Sequence, residues 1–294
     1  MDFRLKVFLK VAEKLSFTKA ASSLYITQPA VTKHIRALEN KYGTLLFHRK
    51  GNKIELTESG KILLNYARKI CSLYDEIDFE INALKDKRAG FLHIGASTTI
   101  TQYVLPGLMA KFKERFPEMK TVVLNGNTEF IERLLNEKKI DLGIIEGFSK
   151  RPGFHYREFT EDRIELVRAT KFPGPDSIDG VDELTRLPVV MREEGSGTRE
   201  VIAHHLKEKG INLRALNIVL QIGSTEGMKR YLQHTPAYAF LSLHSIRDEL
   251  KNNTLRIIPV KDLQIKRSFR FVYPEGEPSP VTEWFIRYAL RYNF

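Results

Sequence analysis

The sequence contains a single cysteine, Cys71, among its 294 residues. One thiol cannot form a disulfide within the chain, and this usage is typical of a reducing compartment. The sequence also lacks an apolar run of the roughly 20 residues that cross a bilayer as a helix. Its start, MDFRLKVFLK, carries charges throughout instead of the apolar core of a signal peptide. We therefore expect a soluble, cytoplasmic protein with no membrane partner.

The usual signatures of catalysis are missing as well. There is no G-x-x-x-x-G-K-[ST] phosphate loop, no G-x-S-x-G nucleophile turn and no Cys/His spacing typical of a metal site. His204 and His205 are adjacent, so on a helix they point about 100° apart instead of sharing a face. We predict no catalytic residue, no metal and no cofactor. The alternatives are a small-anion-binding enzyme, which would turn over its ligand, and a solute-binding protein, which would need an export signal.

Acidic residues are scarce in the first quarter of the chain. Residues 1–69 hold 14 Lys/Arg and 5 Asp/Glu, a formal charge of +9, whereas the whole chain carries +11. A local excess of positive charge favours a polyanionic partner, either nucleic acid or an acidic membrane surface.

The same region has the pattern of a helix-turn-helix. Apolar spacing predicts a helix over residues 3–15, and Ser16 is a plausible N-cap for a second helix from Thr18 to Leu24. After a brief turn, Thr27 can cap a third helix, in which Val31, Ile35 and Leu38 form the buried stripe. The opposite face of that third helix carries Gln28, Pro29, Thr32, Lys33 and Arg36.

This polar face is predicted to read DNA. Gln and Arg can make paired hydrogen bonds to base edges when the start of a recognition helix enters the major groove. The alternative is an ordinary solvated helix face, but the preceding helices and the basic bias favour DNA. Next comes LLFHRKGNKIELT, which predicts a hairpin wing, and Arg49, Lys50 and Lys53 are expected to contact phosphates or the minor groove. The alternative for the wing is a hairpin that only closes the core.

The first 60 residues resemble the N-terminal winged helix-turn-helix of the LysR-type transcriptional regulators. The matching features are the Ser-Phe-Thr-x-Ala-Ala run, Thr-Gln-Pro-Ala-Val, Leu-Phe-x-Arg and Leu-Thr-x-x-Gly. The resemblance implies a winged helix-turn-helix domain over residues 1–58 that binds double-stranded DNA and regulates transcription with RNA polymerase. The chain length also fits the family, so the resemblance is expected to extend over the whole chain.

A long helix is predicted to follow, capped by Thr57 and running to about Lys87. Its apolar positions alternate at spacings of four and three, which is the heptad seam of a coiled coil: Leu63, Ala67, Ile70, Tyr74, Ile77, Ile81 and Leu84. Packing against its own chain is the alternative. The resemblance implies that residues 59–89 form a linker helix that pairs two copies antiparallel, giving a homodimer or homotetramer. We interpret Cys71, one step off the seam, as a packing residue.

From residue 90 onward, short apolar runs alternate with helical segments, which predicts α/β units with parallel sheets. In the LysR-type family this region resembles a type-two periplasmic binding protein with two α/β lobes. We place the lobes at residues 90–161 with 268–294 and at 162–267. The strands that cross between them are predicted near Thr160–Ile164 and Lys266–Arg270, and the final helix returns to the first lobe.

Three strand ends in this region place small hydroxylated residues or glycine at helix N-termini, where free amides favour an anion. Arg192 and Arg199 lie nearby in the sequence. The alternative is ordinary N-capping by Ser and Thr. Together, in this family, the strand ends predict a small anionic effector, and Gly-Ser-Gly-Thr-Arg resembles members linked to sulfur assimilation. The predicted effector-binding residues are Ser97, Thr98, Thr99, Asn127, Thr128, Ser196, Gly197, Thr198, Ser224 and Thr225.

Overall fold

The computed structural model describes residues 2–50, 53–85, 91–148 and 150–292. The chain folds into two compact units, Met1–Asp86 and Lys87–Phe294. Among the described residues, no helix is both long and apolar enough to cross a bilayer.

The first unit begins with the three predicted helices. They are α1 (Phe3–Lys14), α2 (Phe17–Leu24) and α3 (Gln28–Tyr42). The Ser16 hydroxyl accepts the Lys19 amide at the start of α2, and the Thr27 hydroxyl accepts the Ala30 amide at the start of α3. The predicted stripe on α3 is buried against the other two helices, in a core that includes Val7, Phe8, Val11, Ala20, Val31, Ile35 and Leu38. The helix-turn-helix is therefore confirmed.

A two-stranded hairpin follows, formed by β1 (Phe47–Lys50) and β2 (Lys53–Leu56). The strands pair antiparallel, but the tip of the hairpin, residues 51 and 52, lies outside the described residues. The Leu-Thr-x-x-Gly motif closes the hairpin onto the next helix. Thr57 donates to the Leu45 carbonyl at 2.7 Å, and a Cβ on Gly60 would lie only 2.2 Å from the Leu46 carbonyl oxygen. The glycine is thus required by close packing.

The predicted seam lies along the long helix α4 (Glu58–Lys85), where its positions differ in burial. Ala67 is fully buried, and Leu63 packs against the core of the first unit. The next seam positions are 36–51% exposed: Ile70, Tyr74, Ile77 and Ile81. The prediction of one continuous seam for a partner was therefore wrong for its first two positions, which cover the core of their own chain. The side chain of Leu84 lies outside the described residues.

The second unit is built on one nine-stranded sheet. The strands are β3 (Phe91–Ser97), β4 (Lys120–Gly126), β5 (Leu142–Ile145), β6 (Phe154–Ala169), β7 (Val189–Met191), β8 (Ile218–Gln221), β9 (Tyr238–Ser242), β10 (Leu255–Ile257) and β11 (Ile265–Pro274). They lie in the order β4-β3-β5-β11-β6-β9-β7-β8, and β10 also pairs with β6. Strands β3, β4 and β5 are parallel neighbours, as are β7, β8 and β9.

Helices cover this sheet. They are a π-helical turn (Ile100–Val104), α5 (Leu105–Arg115), α6 (Thr128–Asn136), α7 (Gly197–Glu208), α8 (Thr225–Leu232), α9 (Arg247–Lys251) and α10 (Pro280–Ala289). We call β3–β5 with α5, α6 and α10 the first lobe, and β7–β10 with α7–α9 the second lobe. The last helix does return to the first lobe, where the Trp284 and Phe285 rings lie about 5 Å from the Phe112 ring of α5.

Strands β6 and β11 pair antiparallel along their length and join the two lobes. The segments predicted as crossing strands lie opposite each other, with Thr160 paired to Phe269 and Ile164 to Ile265. The strands are longer than the sequence pattern indicated, because β6 alone has 16 residues. Both lobes are therefore joined to the same pair of strands, β6 and β11. Residues at the centre of this pair lie within reach of both lobes.

The exposed part of the α4 seam predicts self-association through this helix. Ile77→Asp places a charge where a second copy would cover it, at a cost on the order of several kcal/mol. We expect the variant to sediment as a smaller species than the wild type in analytical ultracentrifugation.

Ile62→Asp is the matched control, because Ile62 is more exposed than Ile77 (62% against 51%) but lies off the seam. It should retain the wild-type sedimentation. An Ile77→Asp protein that keeps the full assembly would show that this helix does not hold the copies together.

Candidate functional site

The polar face of α3 lines an open groove of about 590 Å³. The groove is lined by all five residues predicted for this face, namely Gln28, Pro29, Thr32, Lys33 and Arg36. Ala37 and Asn40 complete the lining. The Gln28 side-chain amide donates to the Thr32 hydroxyl at 3.1 Å, which orients its polar end. Lys33 and Arg36 are exposed, and no carboxylate among the described residues pairs with either. The face therefore offers hydrogen-bonding groups and unneutralised positive charge.

The three basic residues predicted for the wing lie on its strands. Arg49 and Lys50 belong to β1 and Lys53 to β2, and Lys50 is directly opposite Lys53. Their side chains lie outside the described part of the chain, so their predicted contacts with phosphate stay a prediction.

A buried network of charges lies at the centre of the second unit. Arg267, on β11, is 1% exposed at its side chain. Its Nε donates to Asp162 of β6 at 2.7 Å, and its Nη1 lies 3.0 Å from the Glu146 carboxylate, just after β5. The Ser242 hydroxyl, at the end of β9, donates to the other Asp162 oxygen at 2.9 Å. One guanidinium thus ties the crossing strands to the first lobe, and the network extends into the second.

Thr198 at the start of α7 belongs to this network. Its hydroxyl donates to Glu146 Oε1 at 2.7 Å and accepts from Arg267 Nη1 at 2.9 Å. Its hydroxyl is thus already hydrogen-bonded between the lobes, and its predicted role as an effector ligand stays a prediction. An anion placed beside Thr198 would also meet the Glu146 carboxylate.

Gly197 has a packing role next to it. A Cβ at this position would lie 2.2 Å from the Glu146 carbonyl oxygen and 2.5 Å from the Thr128 hydroxyl. Glycine allows α7 to approach the first lobe closely. The Thr128 hydroxyl, for its part, donates to that same carbonyl at 3.0 Å.

Three more of the predicted polar side chains cap helices. Asn127 accepts the Phe130 amide at 2.9 Å, Ser196 the Arg199 amide at 3.5 Å and Ser224 the Gly227 amide at 3.1 Å. Ordinary N-capping, the alternative considered from the sequence, therefore describes these side chains. Thr225 is 3% exposed and follows the capping Ser224.

Of the remaining predicted residues, Thr98 contacts Arg192, which follows β7 and is 2% exposed. Its Nη2 lies 3.5 Å from the Thr98 hydroxyl, which itself donates to the Gly126 carbonyl at 3.4 Å. Ser97 is 1% exposed, and its hydroxyl has no hydrogen-bond partner within the described structure. Thr99 is also buried. A buried cation at the end of β7 thus meets the Thr98 hydroxyl after β3, and the preceding residue, Ser97, carries an unsatisfied hydroxyl.

Glu193 balances part of the Arg192 charge. Its carboxylate accepts from Arg192 Nε at 2.8 Å and from Nη2 at 3.0 Å. Burial alone would raise the pKa of Glu193, but the hydrogen bonds and charge of Arg192 outweigh burial and hold that pKa below its ordinary value. An incoming anion would have to share this guanidinium with Glu193.

A further side-chain contact joins the element after β3 to α8 of the second lobe. The Tyr103 hydroxyl donates to the Glu226 carboxylate, and the Lys229 ammonium lies 5.0 Å from the centre of the Tyr103 ring. Lys229 is 8% exposed at its side chain and also pairs with Glu226 at 2.7 Å and Glu249 at 2.8 Å. Burial, followed by the hydrogen bond to Glu226, raises the pKa of Tyr103 well above its ordinary value.

A separate pocket of about 420 Å³ lies between the starts of α6 and α7. Thr128 and Ser196 line this pocket. Four glutamates and only two arginines line it as well, namely Glu129, Glu132, Glu194, Glu200, Arg151 and Arg199. Burial raises the pKa of Glu200, as expected for a carboxyl with few compensating cations. This acidic lining disfavours an anion, so the pocket does not suit the predicted effector. Within the described residues, no group of His, Cys, Asp or Glu is arranged to hold a metal ion.

Sequence reasoning missed the buried charges that organise the cleft. A signal existed for Glu146, because it directly follows a fully buried run of four apolar or glycine residues, LGII. A charge beside a buried strand usually has a partner in the core. Asp162 and Arg267 lie 105 positions apart in the chain, so their pairing appears only when the crossing strands are in register.

Two family models match this chain, one within the first unit and one over the second. Residues 3–61 match the family model described as bacterial regulatory helix-turn-helix protein, lysR family, and residues 85–293 match the LysR substrate binding domain. The HTH-type transcriptional regulator CysL of Bacillus subtilis is 32% identical over 293 residues, covering 99% of this chain and 96% of that protein.

Two solved structures share the fold. CrgA, a LysR-type transcriptional regulator from Neisseria meningitidis, aligns with a TM-score of 0.63 at 20% identity over 99% of this chain and 98% of its own. The regulatory domain of Synechocystis CcmR, solved in complex with 2-PG, aligns with a TM-score of 0.62 at 23% identity over 68% of this chain and 96% of its own.

The Thr198 contacts predict a stability effect that needs no ligand. Thr198→Val keeps the shape but leaves Glu146 and Arg267 each short of one partner, which lowers the free energy of unfolding by about 1–3 kcal/mol. Thermal unfolding followed by tryptophan fluorescence measures this directly, because Trp284 is the sole tryptophan and lies in the second unit.

Thr225→Val is the matched control at the start of α8. Thr225 is as buried as Thr198 (3% against 4% exposed), and no hydrogen bond among the described residues links it to the charge network, so its substitution should cost clearly less than that of Thr198. Equal destabilisation by both substitutions would show that the network hydroxyl has no special role.

Proposed function

Because the chain belongs to the LysR family of transcriptional regulators, we propose that α3 reads the operator and that a small anion in the second unit controls this reading. The observation that carries the DNA part is the face of α3. It combines an oriented amide on Gln28 with the unpaired charges of Lys33 and Arg36 around an open groove. This is the chemistry that base edges and phosphates require.

Within the face, we assign different tasks to different residues. Gln28, Thr32 and Arg36 read bases, and Lys33 holds phosphate together with the wing residues Lys50 and Lys53. We keep residues 1–58, 59–89 and 90–294 as the DNA-binding, linker and effector-binding regions. We further propose that the protein works in the cytoplasm as a homodimer or homotetramer and contacts RNA polymerase.

Duplexes selected from a random-sequence pool would test this assignment. Arg36→Ala should cost roughly 1–3 kcal/mol on the selected site and flatten its base preference, because a paired contact to a base is lost. Lys33→Ala should weaken all duplexes alike and lower the salt slope by about one unit. Anisotropy titrations at several salt concentrations measure both quantities.

Lys14→Ala is the control, since Lys14 lies at the end of α1 and is ion-paired to Glu13 at 2.9 Å. It should change neither affinity nor preference. If Arg36→Ala and Lys33→Ala lose affinity equally on selected and random duplexes, the division between base-reading and phosphate-holding residues is wrong.

We place the effector at Arg192, with Ser97, Thr98 and Thr99 as its other ligands. The buried guanidinium and the unsatisfied Ser97 hydroxyl support an anion there, since a buried polar group without a partner is costly. Asn127, Thr128, Ser196, Ser224 and Thr225 would form the surrounding wall. That the similar CcmR domain was solved with 2-PG supports a small ligand.

Binding at Arg192 would act on the two lobes together. Arg192 belongs to the second lobe and Thr98 to the first, so an anion between them favours one relative position of the lobes. A ligand shifts such an equilibrium only through its different affinities for the two states. An anion that replaces the long Arg192–Thr98 contact with shorter hydrogen bonds meets this condition.

A thermal-shift panel of sulfate, sulfite, thiosulfate, acetylserine and small carboxylates would identify the anion class. A ligand at a hundred times its dissociation constant stabilises the protein by about 2.7 kcal/mol. Arg192→Gln should lower the affinity for the stabilising anion roughly ten- to a hundredfold, since a charged hydrogen-bond donor is removed.

Arg151→Gln is the comparison variant, because Arg151 lines the acidic pocket instead. It should bind the same anion as the wild type does. If Arg192→Gln keeps full affinity while Arg151→Gln loses it, the effector lies between α6 and α7 and our placement is wrong.

A further inference from the structure

The turn between α2 and α3 carries an unusual residue, Tyr25. Its backbone is left-handed, with φ of 54°, and its amide closes the end of α2 by donating to the carbonyls of Ala21 and Ser22. These bonds use only the backbone. Glycine would make the same turn with less strain, because it has no Cβ to clash in this conformation. The turn itself therefore does not explain a tyrosine.

Packing does not explain the tyrosine either. Tyr25 is 97% exposed, whereas the next most exposed large apolar or aromatic side chain among the described residues, Ile62, is 62% exposed. The phenol makes no hydrogen bond or ring contact within the described parts of the chain. The fold thus accepts a strained backbone and a fully solvated aromatic ring without any contact in return.

The position of the turn suggests what the side chain does. Tyr25 is three residues before Gln28, the first residue of the α3 face, and two before the capping Thr27. In a helix-turn-helix formed by α2 and α3, α3 is the recognition helix that enters the major groove, and α2 crosses the DNA backbone. The turn between them therefore lies at the edge of the groove, where the phosphates are.

The phenol is also a donor that no contact within the described residues occupies, unlike the two serine hydroxyls beside it. The nearby hydroxyls of Ser22 and Ser23 donate back into α2, to the Thr18 carbonyl at 3.2 Å and the Lys19 carbonyl at 2.8 Å. A phenolic O–H is a neutral donor that suits a phosphate oxygen.

We propose that Tyr25 is a DNA-contacting residue that donates its hydroxyl to a backbone phosphate at the groove edge. This inference rests on the proposed reading of DNA by α3. A phosphate contact carries no sequence information but fixes how α3 sits in the groove. Loss of this contact should therefore weaken binding to every duplex. Because the phenol is neutral, its loss should leave the salt dependence of binding unchanged, whereas the loss of a lysine would reduce it.

The test uses the full chain, a labelled random-sequence duplex and three variants. Tyr25→Phe removes the hydroxyl alone, and we expect roughly tenfold weaker binding at an unchanged salt slope. Tyr25→Gly should bind at least as weakly while its thermal midpoint rises, because strain is relieved. Leu15→Gly is the matched control, since Leu15 is also an exposed residue in the left-handed conformation (φ of 45°) at the end of a helix. It should gain stability and keep wild-type affinity.

Anisotropy gives the affinities, and circular dichroism of the helices gives the midpoints. Wild-type affinity in Tyr25→Phe would overturn the proposal, as would an affinity loss that comes with a lower midpoint or a changed sedimentation, since either indicates a structural or self-association role. If the wild-type protein itself fails to bind the duplex, the reading of DNA by α3 is wrong and this inference falls with it. Binding by the wild type with undiminished binding by Tyr25→Phe removes this inference alone.

Discussion

The second unit depends on the guanidinium of Arg267. It lies on one crossing strand, pairs with Asp162 on the other, and reaches both Glu146 of the first lobe and Thr198 of the second. Replacing a whole buried ion pair with apolar residues often costs little, but removing one member leaves an uncompensated charge at about 3–5 kcal/mol. The members therefore depend on one another. The lobes are connected by a set of contacts that has to be kept or broken as a group.

This constraint determines where a ligand can bind. Residues that the motif pattern places at an anion site are used by the protein itself, with Thr198 in the network and Gly197 in close packing against Glu146. Two carboxylates already share the Arg267 charge. We propose the anion site instead at Arg192, which contacts Thr98, the residue after the unsatisfied Ser97. The network and the proposed effector site thus both join residues of the two lobes.

A similar division of roles occurs in the first unit. The apolar positions of α4 have one regular spacing, yet Leu63 and Ala67 complete the core of the helix-turn-helix, whereas Ile77 and Ile81 remain exposed. The helix is therefore part of a folded domain at its start and exposes apolar side chains further along. On α3, in contrast, one stripe is buried and the opposite one is free, because the helix packs on its own unit along a single side.

The sequence alone was sufficient for the helix-turn-helix, the wing, the long helix and the α/β character of the rest, because each of these follows from local periodicity and from caps such as Ser16 and Thr27. It also located the polar face of α3, since residues on one face of a helix are set by spacing. Only the tertiary structure decided which Ser and Thr hydroxyls are free. Capping is local, but the partners of Thr198 lie 52 and 69 positions away, on strands whose register comes from the whole sheet. Where a charge such as Arg267 finds its partners is therefore decided by strand pairing across more than 100 residues and not by any local pattern.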